Sequence, residues 1–449
     1  MPHAENVSDR IPLVNATPAA ATAPSLVPCE ATPAAPERLR VLVYGLNFHP
    51  EPTGTGKYTA EMAQWLADAG HEVEVITAPP YYPDWRIGPG YSGWRYAREC
   101  WSGIPVRRSP LWVPASPGGL HRSLHLASFA MSSLPVLLAR ALAWRPDVIF
   151  SVAPALASAP GALLAARLSG ALAWLHIQDF EVDAAFEMGL LRGDRARKSA
   201  TRLERALLRS FDRVSTISHR MRERLLEKAV PAPRSVLLPN WVDTAAIRPM
   251  SSDTGIRRAL NIPTDAVVAM YSGTMGVKQG LDLLADAARR LQGEAGVHFL
   301  FCGQGAGRAA LERACERLER VHWLPLQSVE RLPELLASAD VHLLPQQRAA
   351  ADLVLPSKLT GMLASGRPVV ATADAQTEIA QWVQGCGEVV EPGDGEALAQ
   401  AISMLARDAG RRARLGGEAR LRAVARLSRD AILREFLLEV RQARRQAPA

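Results

Sequence analysis

The stretch RLRVLVYGLNFHPEPTGTGKYTAEMAQWLADAGHEVEVIT, residues 38–77, runs from an apolar strand pattern through a glycine-rich loop into a helical pattern and back to strand. Positions 38–45 and 71–77 are short, Val-rich runs, which predicts buried strands. Between them Met62, Trp65, Leu66 and Ala69 recur at helical spacing, and Gly70 stands where the glycine after a helix end belongs. Strand, loop, helix and strand inside 40 residues make a βαβ unit, so both strands lie parallel in one sheet.

The same alternation extends outward. Runs at 147–152, 171–177, 213–218 and 235–239, with a short one near Val106, carry the pattern to about Pro239. It then restarts, with strand patterns at 266–272, 297–302, 321–325, 340–345, 367–372 and 387–391. The expected fold is α/β, two Rossmann-like doubly wound domains facing each other across a cleft, with ligands at the carboxyl ends of the strands. The expected boundaries are a first domain at 38–239, a linker at 240–261, a second domain at 262–425 and a C-terminal helix at 426–449 that crosses back to the first domain. Residues 1–37, rich in Ala, Pro and Thr, read as a disordered tail without a secretory leader.

A chain of 449 residues with 48% apolar residues suits two cores, and a net charge of +7 favours anionic partners such as nucleotide or lipid phosphates. The basic residues are not interleaved with aromatics, so nucleic acid is not an expected partner. Five cysteines without a CxxC pair suit a reducing compartment, and the chain is expected in the cytoplasm. Residues 124–142 are apolar but interrupted by His125, Pro135 and Arg140. The uncharged stretch between His125 and Arg140 is short of the roughly 20 residues of a spanning helix, so the segment reads as a core helix or as a helix that dips into a membrane interface.

Four glycine-bearing loops follow strands. In NFHPEPTGTGKYT, 47–59, Gly54, Gly56 and Lys57 form a ligand contact or a tight turn. Tyr58-Thr59 break the dinucleotide fingerprint there, and Thr77-Ala78-Pro79-Pro80 supply no ribose-binding acid, which argues against a nicotinamide cofactor. SGTMGVKQG, 272–280, offers Gly273 and Lys278 as a phosphate cradle. CGQGAGRAALE, 302–312, places Gly303, Gln304 and Gly305 after the next strand.

The fourth loop, RAAADLVLPSKLTGMLASGRPVV, 348–370, brings Asp352, Ser357 and Lys358 to a helix start. Its bland reading has Ser357 capping the helix and Lys358 in solvent. Each loop alone is as consistent with a structural turn; the three in the second half converge on one sheet edge and suit a shared anionic ligand. Opposite them, LHIQDFEVD, 175–183, gathers His176, Asp179, Glu181 and Asp183 at a strand end. These either bind sugar hydroxyls and orient an acceptor, or are solvated carboxylates beside a satisfied histidine. No D-x-D motif or metal-ligand spacing is present, so no metal or other cofactor is expected, and no G-x-S-x-G elbow supports a serine hydrolase.

From about Arg38 onward the chain resembles a family 4 retaining glycosyltransferase of the GT-B fold. The resemblance rests on TGTGKYTAEMAQWLADAGHEVEVITAPPYYP, HIQDFEVD, STIS, LPNWVD, SGTMGVKQG and LPSKLTGMLASGRPVV. It implies transfer of a sugar, with retention, from a nucleotide-diphosphate donor to a polyprenyl-diphosphate-linked glycan at the inner membrane face, in colanic-acid-like exopolysaccharide assembly with GDP-fucose as a candidate donor. On that reading the converging loops assign Gly273, Lys278, Gly303, Gln304, Gly305, Asp352, Ser357 and Lys358 to the donor. His176, Asp179 and Glu181 serve the reacting sugars as the catalytic set, and Gly54, Gly56 and Lys57 line the acceptor side.

Departures are present too. The family's Arg and Lys clamp falls on Thr274 and Gln279, and its paired glutamates fall on Leu353 and Gly361. A nucleotide-sugar 2-epimerase and a non-catalytic sugar-nucleotide scaffold are the rival readings.

Overall fold

The computed structural model describes residues 38–449 apart from 52–53, 116–117, 155, 184–193, 277–278, 348–355 and 447–449. The first sheet is ordered β3-β4-β2-β1-β5-β6-β7-β8. Its strands are β1 (Arg40–Gly45), β2 (Glu72–Thr77), β3 (Ala97–Trp101), β4 (Ile104–Arg108), β5 (Val148–Ala153), β6 (Leu172–Ile177), β7 (Arg213–Thr216) and β8 (Ser235–Leu237). The run near Val106 proves to be a hairpin. Ala97–Trp101 pairs antiparallel with Ile104–Arg108 through a turn at Ser102 and Gly103, both at positive φ. Its outer strand is mostly exposed and carries no apolar run, so periodicity gave no sign of it.

The second sheet is ordered β11-β10-β9-β12-β13-β14 and wholly parallel. It comprises β9 (Val267–Ser272), β10 (Val297–Cys302), β11 (Val321–Leu324), β12 (Val341–Leu344), β13 (Val369–Thr372) and β14 (Gly387–Val390). Among the parallel strands of each sheet the order reverses at one point, between β1 and β5 and between β9 and β12. Loops on either side of such a reversal diverge and leave a crevice, which is where open α/β sheets bind ligands.

The helix Gly54–Asp68 buries Tyr58, Met62 and Leu66, one per turn, against the first sheet. The last helix, Arg429–Gln446, adds Ile432, Leu433, Phe436, Leu437 and Val440 to that same core. Phe436 meets Phe150 at 5.3 Å and Trp174 at 4.9 Å between ring centroids. The chain passes between the two lobes twice, side by side: Val242 N–H donates to Leu427 O at 2.8 Å, and Arg429 N–H donates to Val242 O at 3.0 Å.

The helix Gly119–Trp144 buries His125, Phe129, Ser133, Leu137 and Ala141, a stripe at four-residue spacing. Its outer face is apolar as well, with Leu124, Met131 and Leu142 exposed. Among the described residues it is the one helix long and apolar enough to cross a membrane, and its buried stripe makes it part of the first lobe's core.

Candidate active site

The crevices of the two sheets face each other, and between them lies a cavity of about 530 Å³. Gly54, Gly56, Tyr58, Gln178, Asp179 and Ser357 are among its walls, so glycine loop, β6 end and second-lobe helix start meet there. A larger inter-lobe cavity, about 730 Å³, is walled largely by the last two helices and contains no glycine loop.

On the first-lobe side the loop after β1 is held by Glu51. Its carboxylate accepts Asn47 Nδ2 at 2.8 Å and the Tyr81 and Tyr82 backbone N–H groups, each at 3.1 Å. Burial pushes this carboxyl above the usual range although those hydrogen bonds oppose it. Gly56 packs directly on Glu51; a Cβ there would lie 2.9 Å from its carboxylate oxygen. Buried Arg108 braces the same loops, donating to Ala78 O, His49 O and Glu99 Oε1. Lys57 does not face the cavity: its ammonium lies 3.8 Å from Glu61, one turn along the helix.

The acidic strand end divides. Asp179 is exposed to the cavity beside Gln178. His176 is 4% exposed and stands behind the wall. Its Nδ1 bonds Ser215 Oγ at 2.9 Å and its Nε2 meets Gln178 Nε2 at 2.9 Å, while Gln178 reaches Asn240 of the inter-lobe crossing at 3.1 Å. Burial pushes its pKa down to about 3, so it is neutral. In this geometry His176 touches no cavity ligand directly, and it positions Gln178 instead. Glu181 accepts the Leu156 N–H at 2.6 Å. Asp183 pairs with Lys228 at 2.9 Å, which also binds buried Glu204. Two members of this cluster are therefore engaged in holding the lobe together.

On the second-lobe side Lys358 opens the helix Lys358–Ala364 and turns its side chain under β9. Its ammonium lies 4.3 Å from the Tyr271 ring centroid, 3.1 Å from Gln279 Oε1 and 3.3 Å from Tyr271 Oη. These partners are neutral, and no carboxylate pairs with it among the described residues. Burial accordingly pulls its pKa down to about 7. Ser357 forms no capping hydrogen bond of its own; it lines the cavity together with Tyr58 of the opposite lobe. The solvated-lysine reading of this turn is thus excluded.

Gly273 follows β9, with the Lys358 side chain 3.5 Å from its Cβ direction. Gly303, Gln304 and Gly305 follow β10 and are zipped to the Gly273 loop. Met275 N–H donates to Gln304 O, and Gly307 N–H donates to Met275 O, both at 2.8 Å. A Cβ on Gly303 would fall 1.9 Å from Gly273 O, and one on Gly305 2.5 Å from Met275 O. Both also hold positive φ, 151° and 145°. These glycines are required by one loop's approach to another, whatever ligand lies above them. Lys278 and Asp352, with Leu353, lie outside the described residues. A Cβ added at Gly361 would meet Leu336 at 3.2 Å and Ile247 at 3.9 Å, so that position faces apolar side chains.

Residue patterns missed Tyr58, Tyr271, Glu51 and Arg108. The signal for Tyr58 and Tyr271 was present, a hydroxyl-bearing ring at an otherwise apolar buried position.

Two family profiles match the chain: the glycosyl transferase 4-like domain over residues 53–241 and glycosyl transferases group 1 over residues 266–408. It is 44% identical over 413 residues to a protein of Escherichia coli K12 named as the colanic acid biosynthesis glycosyl transferase WcaI, covering 90% of this chain and 100% of the relative. Among solved structures, sucrose-phosphate synthase from Thermosynechococcus elongatus superposes with a TM-score of 0.70 at 19% identity, covering 91% of this chain and 100% of that one. Anabaena HepE, in complex with UDP and glucose, superposes at 0.65 and 16% identity, covering 90% and 100%. At such identities the superpositions speak for the GT-B architecture, and the full-length sequence match speaks for the family. The chain belongs to the family 4 glycosyltransferases and is a glycosyltransferase of the GT-B fold.

Proposed function

We propose that the enzyme transfers a sugar, with retention, from a nucleotide-diphosphate donor to a polyprenyl-linked glycan, in assembly of a colanic-acid-like exopolysaccharide. One observation carries the reading. Lys358 holds an enclosed ammonium among neutral partners at the second sheet's switch point, bonded to Gln279 of the inter-lobe cavity's wall. A charge buried without a counter-charge is unfavourable, and a diphosphate seated against it supplies that counter-charge. Gly273, Ser357 and the 303–305 turn surround the same place, with Lys278 and Asp352 proposed as further donor contacts from the segments on either side.

The chemistry we assign is a front-face displacement. The glycosidic bond to the diphosphate breaks toward an oxocarbenium-like state. The acceptor hydroxyl attacks from the same face, and its proton passes to the departing diphosphate oxygen. The protein's part is to neutralise leaving-group charge and align reactants. Lys358 does the first; Asp179 and the backbone at Gly54 and Gly56 do the second. The reading needs no metal or organic cofactor, since a protein cation meets the diphosphate. Nucleic acid has no part in it.

The enzyme is proposed to work in the cytoplasm, resting peripherally on the inner membrane face through the outer apolar face of the helix Gly119–Trp144. Incubation with GDP- and UDP-sugars, GDP-fucose included, with and without membrane extract tests the whole. Nucleotide release that requires extract, insensitivity to EDTA and an α-linked product from an α-linked donor are expected. Donor isomerisation without extract indicates the epimerase, and binding without turnover indicates the scaffold. Sedimentation with anionic liposomes at low salt tests the membrane contact; protein wholly in the supernatant refutes it.

A further inference from the structure

Two glutamines in the second-lobe wall of the inter-lobe cavity carry hydrogen-bonding capacity that the residues around them leave unused. They follow the two strands that flank the second sheet's reversal, Gln279 after β9 and Gln346 after β12. Their loops touch: a Cβ on Gly280 would lie 3.5 Å from Gln346 C and 3.6 Å from Gln346 O.

Each side chain is set by its surroundings. The Lys358 ammonium only donates, so at 3.1 Å it holds Gln279 Oε1, and the two N–H groups on Gln279 Nε2 are turned away from the lysine. Those N–H groups have no partner among the described residues, and the side chain is half-buried. At Gln346 the Thr372 hydroxyl pins the backbone, accepting its N–H at 2.7 Å and donating to its carbonyl at 2.9 Å. The residue is 7% exposed, yet its amide has no hydrogen-bond partner among the described residues. The amide is not sealed, since neither of its atoms is among the fully enclosed ones that lack a partner, and the residue lines the cavity. Such groups in folded proteins are almost always satisfied, so a pair of them at a cavity wall marks a ligand.

Their neighbour fixes the kind of ligand. With a diphosphate on the Lys358 ammonium, the next part of a nucleotide-diphosphate sugar is the sugar ring, joined directly to the outer phosphate. Gln279 touches that ammonium and stands at the junction, and Gln346 lies beside it. A phosphate only accepts and would leave the Gln346 carbonyl unpaired, whereas a hydroxyl donates and accepts and satisfies both ends of the amide. We propose that Gln279 and Gln346 select the transferred sugar. Gln279 Nε2 donates to the oxygen that joins phosphate and sugar, and Gln346 exchanges hydrogen bonds with the sugar's hydroxyls. The inference rests on the transferase reading and deepens it, naming the residues that discriminate among donor sugars.

The test uses full-length protein in titration calorimetry, with GDP, UDP, GDP-fucose, GDP-mannose, UDP-glucose and UDP-galactose as probes. Gln346→Leu is expected to weaken the best-bound nucleotide sugar about tenfold while free GDP and UDP stay within about twofold. Gln346→Met, which keeps the side chain's length, is expected to do the same. Among analogues of that sugar that each lack one hydroxyl, at least one is expected to bind more weakly than the parent to wild-type protein, and no more weakly than the parent to Gln346→Leu. Gln279→Glu, which sets a carboxylate against the Lys358 ammonium, is expected to weaken free nucleotides and nucleotide sugars alike, by about tenfold or more. Wild-type protein that binds none of the six probes overturns the transferase reading and this inference with it. Wild-type protein that binds GDP or UDP but none of their sugars leaves the subsite without a ligand and overturns it alone. Equal affinity of wild type and Gln346→Leu for the nucleotide sugar, or equal losses for every deoxy analogue, does the same. Loss of free-nucleotide binding and melting temperature together in both Gln346 variants assigns the residue a purely structural role and also overturns the proposal.

Discussion

Lys358 concentrates the opposing demands on this protein in one side chain. Its ammonium is held by an aromatic ring, a phenol and an amide, and burial lowers its pKa to about 7. An unfolded lysine keeps its proton to about pH 10.4, so between about pH 7 and 10 the unfolded state binds more protons and stability rises with pH. Below pH 7 the folded protein carries the full burden of a charged, unpaired ammonium. Lys358→Met is therefore expected to raise the melting temperature of the ligand-free enzyme near neutral pH while lowering turnover at least tenfold; scanning calorimetry beside an activity assay checks both. Diphosphate binding favours the charged lysine, so above pH 7 it must draw in a proton. GDP or UDP affinity is expected to weaken by up to about tenfold per pH unit from 7 to 8.5, and to lose that slope in Lys358→Met, as read by titration calorimetry. His176 illustrates the opposite case. With both ring nitrogens engaged and Ser215 shared with Trp174, His176→Ala is expected to cost about 1–3 kcal/mol in denaturant unfolding, through the partners it strands.

At the scale of elements, each site group is aimed by the end of a regular structure. The helix Gly54–Asp68 brings Tyr58 to the cavity opposite Ser357, while β6 leads into Gln178 and Asp179. The helix Arg429–Gln446 comes from the other end of the sequence and caps the first sheet with Phe436 between Phe150 and Trp174. Phe436→Ala opens a cavity in that core and is expected to cost about 3–5 kcal/mol, seen as a lower denaturant midpoint. Much of this layer was legible. Strand runs such as VHFLFC at 297–302 coincide with their strands because a central parallel strand is apolar on both faces. The Met62–Leu66 stripe likewise marks its helix. Strand β3 was not legible, since an exposed edge strand need carry no apolar pattern.

At the scale of the molecule, one contact between the lobes is unusually directed. Glu378 of the second lobe accepts the backbone N–H groups of His219 and Arg220, at 3.3 Å each, at the start of the first-lobe helix His219–Glu227. An acidic side chain at a helix N-terminus is favourable, so this contact holds the lobes together across the 730 Å³ cavity. Glu378→Ala is expected to cost about 1 kcal/mol and to loosen closure, seen as a larger radius of gyration in solution scattering that nucleotide only partly reverses. By itself the amino-acid order determined two doubly wound sheets, the glycine loops at their strand ends and the family, because periodicity and turn chemistry act over a few neighbouring residues. Only the tertiary structure decided that Lys358 is enclosed, that Lys57 and His176 do not face the cavity, and that Gln279 and Gln346 do. Those outcomes depend on packing between segments far apart in the chain, such as Lys358 with Tyr271 at a separation of 87, and no local pattern encodes which way such a side chain turns.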